Sequence, residues 1–196
     1  IRDTFKIDMV LDYNVTMENH LHDHHSLDCF CSRCGAALAV KEVKIGEPKR
    51  PTCVRCGHVV YLDPKVAVGT VITNQANQFA LVKRSIEPGY GKWVYPGGYV
   101  DRGEPPTFAA VREAREEANL DVKITGLINI YAYPGVVPIV LVYAATVTGG
   151  ELRPEDESLE AAWFERADIP WNELAFRSTR DALKDYDLGL LHPDLI

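Results

Sequence analysis

The sequence predicts a mixed α/β domain preceded by a small cysteine-rich module. Three observations carry that prediction. Every cysteine falls in the segment 29–62. Apolar, β-branched runs recur from position 66 onward, the mark of buried strands. One acidic segment with helical spacing, near 105–118, interrupts them. The expected organisation is an arm over 1–28, the cysteine module over 29–62, the main domain over 63–186 and a tail over 187–196.

The elements of the main domain follow in order. "VAVGTVI" (66–72) and "FALVKR" (79–84) read as strands, and "TNQAN" between them carries the turn residues of a hairpin. The acidic helix comes next. Strands are then expected near 122–133, at 136–147 and at "AAWFE" (161–165), followed by a last helix over about 176–186 with Ser178 or Thr179 as its cap.

Composition narrows the class. A chain of 196 residues that is 46% apolar and 25% charged has the make-up of a folded globular protein. Its 28 acids against 21 Lys plus Arg give a net charge of −7, which disfavours a broad nucleic-acid or anionic-membrane surface. The longest apolar run, "VVPIVLVYAATV" (136–147), falls short of the roughly 20 residues a bilayer requires. The first residues lack the apolar stretch of a signal peptide, so a cytoplasmic location is expected; the start at Ile leaves a removed segment open. "NHLHDHH" clusters His20, His22, His24 and His25, which fits a solvated arm better than a built metal site.

Cys31-x2-Cys34 and Cys53-x2-Cys56, with 18 residues between the pairs, have the spacing of a zinc ribbon. Each pair can bring two thiolates to one tetrahedral Zn2+, and Gly35 and Gly57 permit the tight turn that follows each pair. A module this small has little core, so metal would supply its stability. The competing reading, two disulfides, needs an oxidising compartment. Cys29 could replace Cys31 as a ligand, but its wider spacing to Cys34 favours a spare thiol. Four cysteine ligands fill the coordination shell, which makes this zinc structural.

On a helix with about 100° per residue, Glu113, Glu116 and Glu117 share an arc of roughly 100°, and Val111, Ala114 and Ala118 lie opposite. Arg112 stands one turn before Glu116 and can pair with it. Crowded carboxylates repel unless a cation neutralises them, and a hard ion such as Mg2+ or Mn2+ takes oxygen ligands. The same residues would also suit a solvated helix face. The glycine-rich "PGGYVDRGE" just before them favours a ligand site, because it lets backbone approach closely.

This stretch resembles the Nudix box of the Nudix hydrolases. Gly98 is followed by five residues, Glu104, seven more, and then Arg112-Glu113-Ala114-Arg115-Glu116-Glu117-Ala118-Asn119-Leu120. Asn119 stands where the family usually has Gly, at a helix end expected to be left-handed, where Asn is the next most tolerant residue. "YGKWVYPGG" and "EAAWFERADIP" resemble further parts of the family. The resemblance implies an α/β/α sandwich around a mixed sheet, and hydrolysis of a P–O–P linkage with divalent ions. It assigns Glu113, Glu116, Glu117 and the Gly97 carbonyl to the catalytic metal. Arg112 and Glu104 would hold loop and helix together. The general base would be Glu113, or Glu157 or Glu160 on the loop before the late strand.

"YLDPKVAVGTVI", "RSIEPGYGKWVYPGGYVDRGE", "EDESLEAAWF" and "LAFRST" resemble the zinc-ribbon group that includes FAD and ADP-ribose pyrophosphatases. The partner this implies is a nucleoside diphosphate small molecule cleaved to AMP. Homodimerisation is left open, and no membrane partner is expected. NADH pyrophosphatases share the ribbon but carry a Pro-rich downstream array that "INIYAYPGVVPIVLVYAA" lacks. A nucleotide sensor whose ribbon grips nucleic acid would not need the full set of glutamates. Tyr131, Tyr133, Tyr143 and Phe176 could stack on a base or belong to the core, and Arg84, Arg102 and Arg177 could meet phosphate.

Overall fold

The computed structural model describes residues 30–196. The arm, its four histidines and Cys29 lie outside the described residues. The chain divides into two compact units that meet between Asp63 and Pro64.

In the first unit, β1 (Leu38–Lys41) pairs antiparallel with β2 (Arg50–Cys53). The turns that precede β1 and follow β2 are the two cysteine knuckles. Gly35 and Gly57 both have φ +70°, the left-handed backbone that a glycine after each Cys pair allows.

The second unit is a mixed sheet between helices. Its strands are β3 (Val66–Thr73), β4 (Phe79–Arg84), β5 (Trp93–Val94), β6 (Leu120–Tyr131), β7 (Ile139–Gly150) and β8 (Ser158–Phe164). The helices are α1 (Pro106–Ala118) and α2 (Arg177–Asp187). Strand order is β5-β4-β3-β7-β6, with β8 added to β4. β3 and β7 run parallel and the other pairs antiparallel. β4 is buried on both faces along Phe79–Val82, as its unbroken apolar run requires. Ala109 and Ala110 of α1 pack with Val68, Leu127 and Tyr143. Ala182 and Leu183 of α2 join the larger core around Ile72, Phe79 and Leu81. The result is the expected α/β/α sandwich.

One departure from simple pairing builds the functional cleft. β3 and β4 meet only at Thr73 and Phe79, beside the predicted hairpin turn, and then part. The edge of β3 so released is taken by the glycine-rich loop: Val68 N–H donates to the Gly98 carbonyl (2.8 Å), Thr70 N–H to Pro96 (2.9 Å), and Val100 N–H to Val66 (3.0 Å). The loop is thereby fixed in the sheet.

Several boundaries differ from the sequence reading. β6 and β7 occupy 120–131 and 139–150 rather than 122–133 and 136–147, because a turn at Tyr133–Val136 breaks the apolar run between them. β8 starts at Ser158, so Glu160 lies on a strand and not on a loop. Neither Ser178 nor Thr179 caps α2. Phe176 is the N-cap in extended backbone (φ −128°, ψ 152°), and both hydroxyl residues sit inside the first turn. The tail belongs to this unit: Leu127 and His192 exchange backbone hydrogen bonds of 3.1 and 2.8 Å. Among the described residues no helix is long and apolar enough to cross a membrane.

Candidate active site

A cleft of about 810 Å³ opens where β3 and β4 part. Its walls bring together Glu113, Glu116 and Glu117 from α1, Gly97 and Gly98 from the loop, and Glu157 from the turn before β8.

Local geometry explains how the carboxylates reach it. α1 begins with Pro106, whose missing N–H costs nothing at a helix start, and ends at Asn119 in left-handed backbone (φ 54°, ψ 34°). The Asn119 side chain ties that end down by donating to the Glu151 carbonyl (2.9 Å). The apolar face is not the one expected. Ala109, Ala110, Ala114 and Ala118 are buried, but Val111 is exposed, while Glu113 and Glu117 are buried. The carboxylates lie on the border between core and cleft, under the glycine-rich loop. A side chain at Gly98 would put its Cβ 2.5 Å from the Glu113 carboxylate, and one at Gly97 would meet the Val68 carbonyl at 2.3 Å. Gly97 therefore has no room for a side chain, because its neighbour is backbone, whereas a side chain at Gly98 would push the Glu113 carboxylate out of place.

Arg112 ties helix and loop together. Its Nε and Nη2 donate to both oxygens of Glu104 (2.9 Å each), Nη1 donates to Glu113 and Glu116 (2.8 Å each), and Nη2 reaches the Tyr99 carbonyl (3.2 Å). The Asp101 N–H adds a bond to Glu104 (3.0 Å). Arg112 and the Asp101 amide hold the Glu104 carboxyl down to about 2. The sign of the linkage follows. With an ordinary value of 4.5, Glu104 contributes its full stabilisation above pH 4.5 and loses it as pH falls towards about 2. The difference in thermal stability between the parent and Glu104→Gln should thus be greatest above pH 4.5 and shrink below it. A gap that stays constant with pH would contradict this account.

Glu117 accepts a hydrogen bond from the Gly97 N–H (2.8 Å), yet burial pushes its carboxyl up to about 7. Burial also raises Glu113, against the pull of Arg112. Two buried carboxylates facing a third, with a single arginine among them, form a donor set short of positive charge. The Gly97 carbonyl adds a hard oxygen that accepts no hydrogen bond among the described residues. This set fits a divalent cation.

Not every candidate reaches the cleft. Glu160 pairs with Lys83 (2.9 Å) and does not line it. Tyr143 is core, and Tyr131 is buried with its hydroxyl donating to Asp185 (2.7 Å). Tyr133, Phe176, Arg84 and Arg177 do line it, and Arg102 does not. Tyr95 is a wall residue that the sequence reading missed. Its place after Trp93 in the loop's approach was the available signal.

In the first unit, the Sγ atoms of Cys31, Cys34, Cys53 and Cys56 lie within 4.8 Å of one another, and none is in a disulfide. Three of the separations are 3.5, 3.5 and 3.7 Å. A tetrahedron with 2.3 Å metal–sulfur bonds has edges of about 3.8 Å. The N–H groups of Arg55 and Cys56 point at the Cys53 sulfur (3.4 Å each). The Ala36 backbone, aided by Arg55, brings the Cys34 thiol down to about 6. The cluster fits one thiolate-bound metal ion.

The α/β/α fold and a cleft that gathers three carboxylates under a glycine-rich loop define the class of protein to which the chain belongs. Residues 63–185 match the NUDIX domain, and the chain belongs to the Nudix hydrolase family. It is 37% identical over 131 residues to an ADP-ribose pyrophosphatase of Methanocaldococcus jannaschii, covering 65% of this chain and 75% of that protein. It is 26% identical over 155 residues to the NAD-capped RNA hydrolase NudC of Chromobacterium violaceum, covering 79% of this chain and 55% of that one. A crystal structure of a NUDIX hydrolase from Nitrosomonas europaea superposes with a TM-score of 0.75 at 36% identity, covering 80% of this chain and 89% of the other.

Proposed function

We propose that this chain hydrolyses the diphosphate linkage of a nucleoside diphosphate derivative, ADP-ribose or FAD, and releases AMP. The observation that carries the reading is the meeting of Glu113, Glu116, Glu117 and the Gly97 carbonyl in one cleft. The 37% identity to a protein named ADP-ribose pyrophosphatase supports the substituent.

Glu113, Glu116, Glu117 and the Gly97 carbonyl would hold Mg2+ or Mn2+. A bound ion of this kind supplies charge neutralisation to the diphosphate and acidity to a water. Arg112 and Glu104 keep helix and loop in register around it. The chain's own contribution to the attack is a base. Glu113 is engaged by Arg112, and Glu160 by Lys83, whereas the exposed Glu157 carboxylate forms no ion pair among the described residues. Glu157 is held beside the site because its carbonyl accepts from the Ser85 N–H (2.8 Å). Glu157 takes the water's proton, the water oxygen bonds to phosphorus, and the bridging P–O bond breaks. The four cysteines would hold one structural Zn2+.

The 26% identity to NudC favours a second reading, cleavage of a nicotinamide dinucleotide. Values of kcat/KM measured side by side on ADP-ribose, FAD, NADH and a nucleoside triphosphate decide between them. ADP-ribose or FAD should lead. A lead of tenfold or more for NADH or the triphosphate would overturn the substrate assignment. In the same assay Glu157→Gln should lose about 10²-fold if Glu157 is the base.

A further inference from the structure

We propose that the first turn of α2, together with Arg84 and Arg177, is an anion subsite that holds a phosphate group of the substrate in the same cleft as the three carboxylates. The proposal rests on the diphosphatase reading above and adds a second point of attachment to it.

The start of α2 suits an anion, and no acid among the described residues caps it. Phe176 offers no side-chain cap, and the first turn contains no acid. The N–H groups of Arg177, Ser178 and Thr179 find no backbone acceptor among the described residues. Unpaired N–H groups and the positive end of the helix dipole coincide there.

Buried hydroxyls give an independent indication. Tyr95 lines the cleft and is only 4% exposed, and Thr179 is fully buried. The Tyr95 hydroxyl lies beside those of Ser178 and Thr179. The three hydroxyls are close enough to interact weakly, but neither the Tyr95 nor the Thr179 hydroxyl has a partner at full hydrogen-bond geometry among the described residues. Buried polar groups in native proteins are nearly always satisfied. The under-satisfied Tyr95 O–H, on the cleft wall beside the first turn of α2, therefore marks a place where an acceptor belongs.

The third element is a pair of held guanidinium groups. Arg84 lies over the Phe176 ring at 5.0 Å and donates from Nε to the Pro88 carbonyl (2.8 Å). Arg177 lies over the Tyr133 ring at 4.6 Å and donates from Nε to Asp181 (3.2 Å). The terminal nitrogens of both remain free among the described residues. Stacked, planar forks of this kind are prepared for phosphate. Of the acids nearby, Glu87 is engaged by the Gly89 and Tyr90 N–H groups and Asp181 by the Tyr133 hydroxyl and Arg177, while Asp156 and Glu157 of the same cleft form no ion pair among the described residues and are left for the cation. Arg84 and Glu117 line the same cleft, so one ligand can reach both ends.

The phosphate has two sources: the half of the scissile diphosphate remote from the carboxylates, or an additional phosphomonoester on the nucleoside. Equilibrium binding of ADP-ribose and of ADP-ribose 2′-phosphate to the full, zinc-loaded chain, without added Mg2+ or Mn2+, tests the subsite apart from turnover. Ser178→Asp places a carboxylate in the turn and should weaken binding about tenfold or more. An acid at this position suits a helix start, so the fold should survive. Arg177→Gln changes an exposed side chain and should weaken binding severalfold. Equal losses for the two ligands assign the subsite to the scissile diphosphate, and losses confined to the 2′-phosphate assign it to the additional group. Binding to both variants within twofold of the parent would overturn the proposal, as would a parent chain that binds neither ligand. Binding without hydrolysis once Mg2+ is added would sink the diphosphatase reading and leave the subsite standing.

Discussion

Replacing Glu117 by Gln should slow diphosphate hydrolysis by about 10²-fold or more and leave the fold intact. Glu117 is buried at the end of α1 and accepts from the Gly97 N–H, a bond that a glutamine oxygen can also accept. The substitution preserves volume and helix propensity and removes one negative charge from the cation site. Stability should hold or rise, because a buried carboxylate is relieved of its desolvation cost. Circular dichroism and a thermal melt would confirm the fold, and initial rates at saturating Mg2+ would measure the loss. Full activity would show that the acidic border of α1 is not where the catalytic ion binds.

The second large effect concerns the cysteine cluster. The parent should carry one Zn2+ per chain, and Cys53→Ser should carry almost none. Cys53 is buried, and its sulfur receives two backbone N–H groups. A structural zinc of this type contributes an apparent ~10–16 kcal/mol of binding at neutral pH. Among the described residues of the first unit, the only strands are a pair of four residues each, which offers little core packing to replace the metal's contribution. Loss of metal should collapse the amide NMR dispersion of the residues around 30–62. Elemental analysis checks the first claim and NMR the second. A full complement of zinc in Cys53→Ser, or two disulfides in the parent, would refute the assignment.

How much of this was legible in the sequence depends on the range of the interaction. The α1 carboxylates and Arg112 with its Glu104 partner follow from local spacing, and the left-handed Asn119 follows from the family resemblance at that position. The cysteine knuckles are similar, because each is closed by its own short turn. The misreadings are long-range. Angular bookkeeping placed Val111 on the packed face, whereas the loop held on β3 covers the other side of the helix and buries Glu113 and Glu117. Ser178 and Thr179 look like caps in sequence, yet the chain enters α2 at Phe176 and turns them inward. Tyr131 and Tyr133 are two residues apart and look equivalent. Only Tyr133 reaches the cleft, while Tyr131 is buried in the core. Glu157 and Glu160 divide in the same way, one at the cleft and one on β8.

β6 is the outermost strand of its sheet on that side, and at 12 residues a long one. Such an edge is a template on which a neighbouring molecule can add a strand, the first step towards aggregation. Here the template is broken at mid-length. The register of β6 against β7 slips at Asp121–Val122, Ile124–Gly126 and Leu127–Asn129, and His192 occupies the donor and acceptor of Leu127. Gly126 admits that contact, since a side chain there would strike Leu191 at 2.7 Å. The last residues of the described chain thus cover the middle of an edge that would otherwise be open to a further strand.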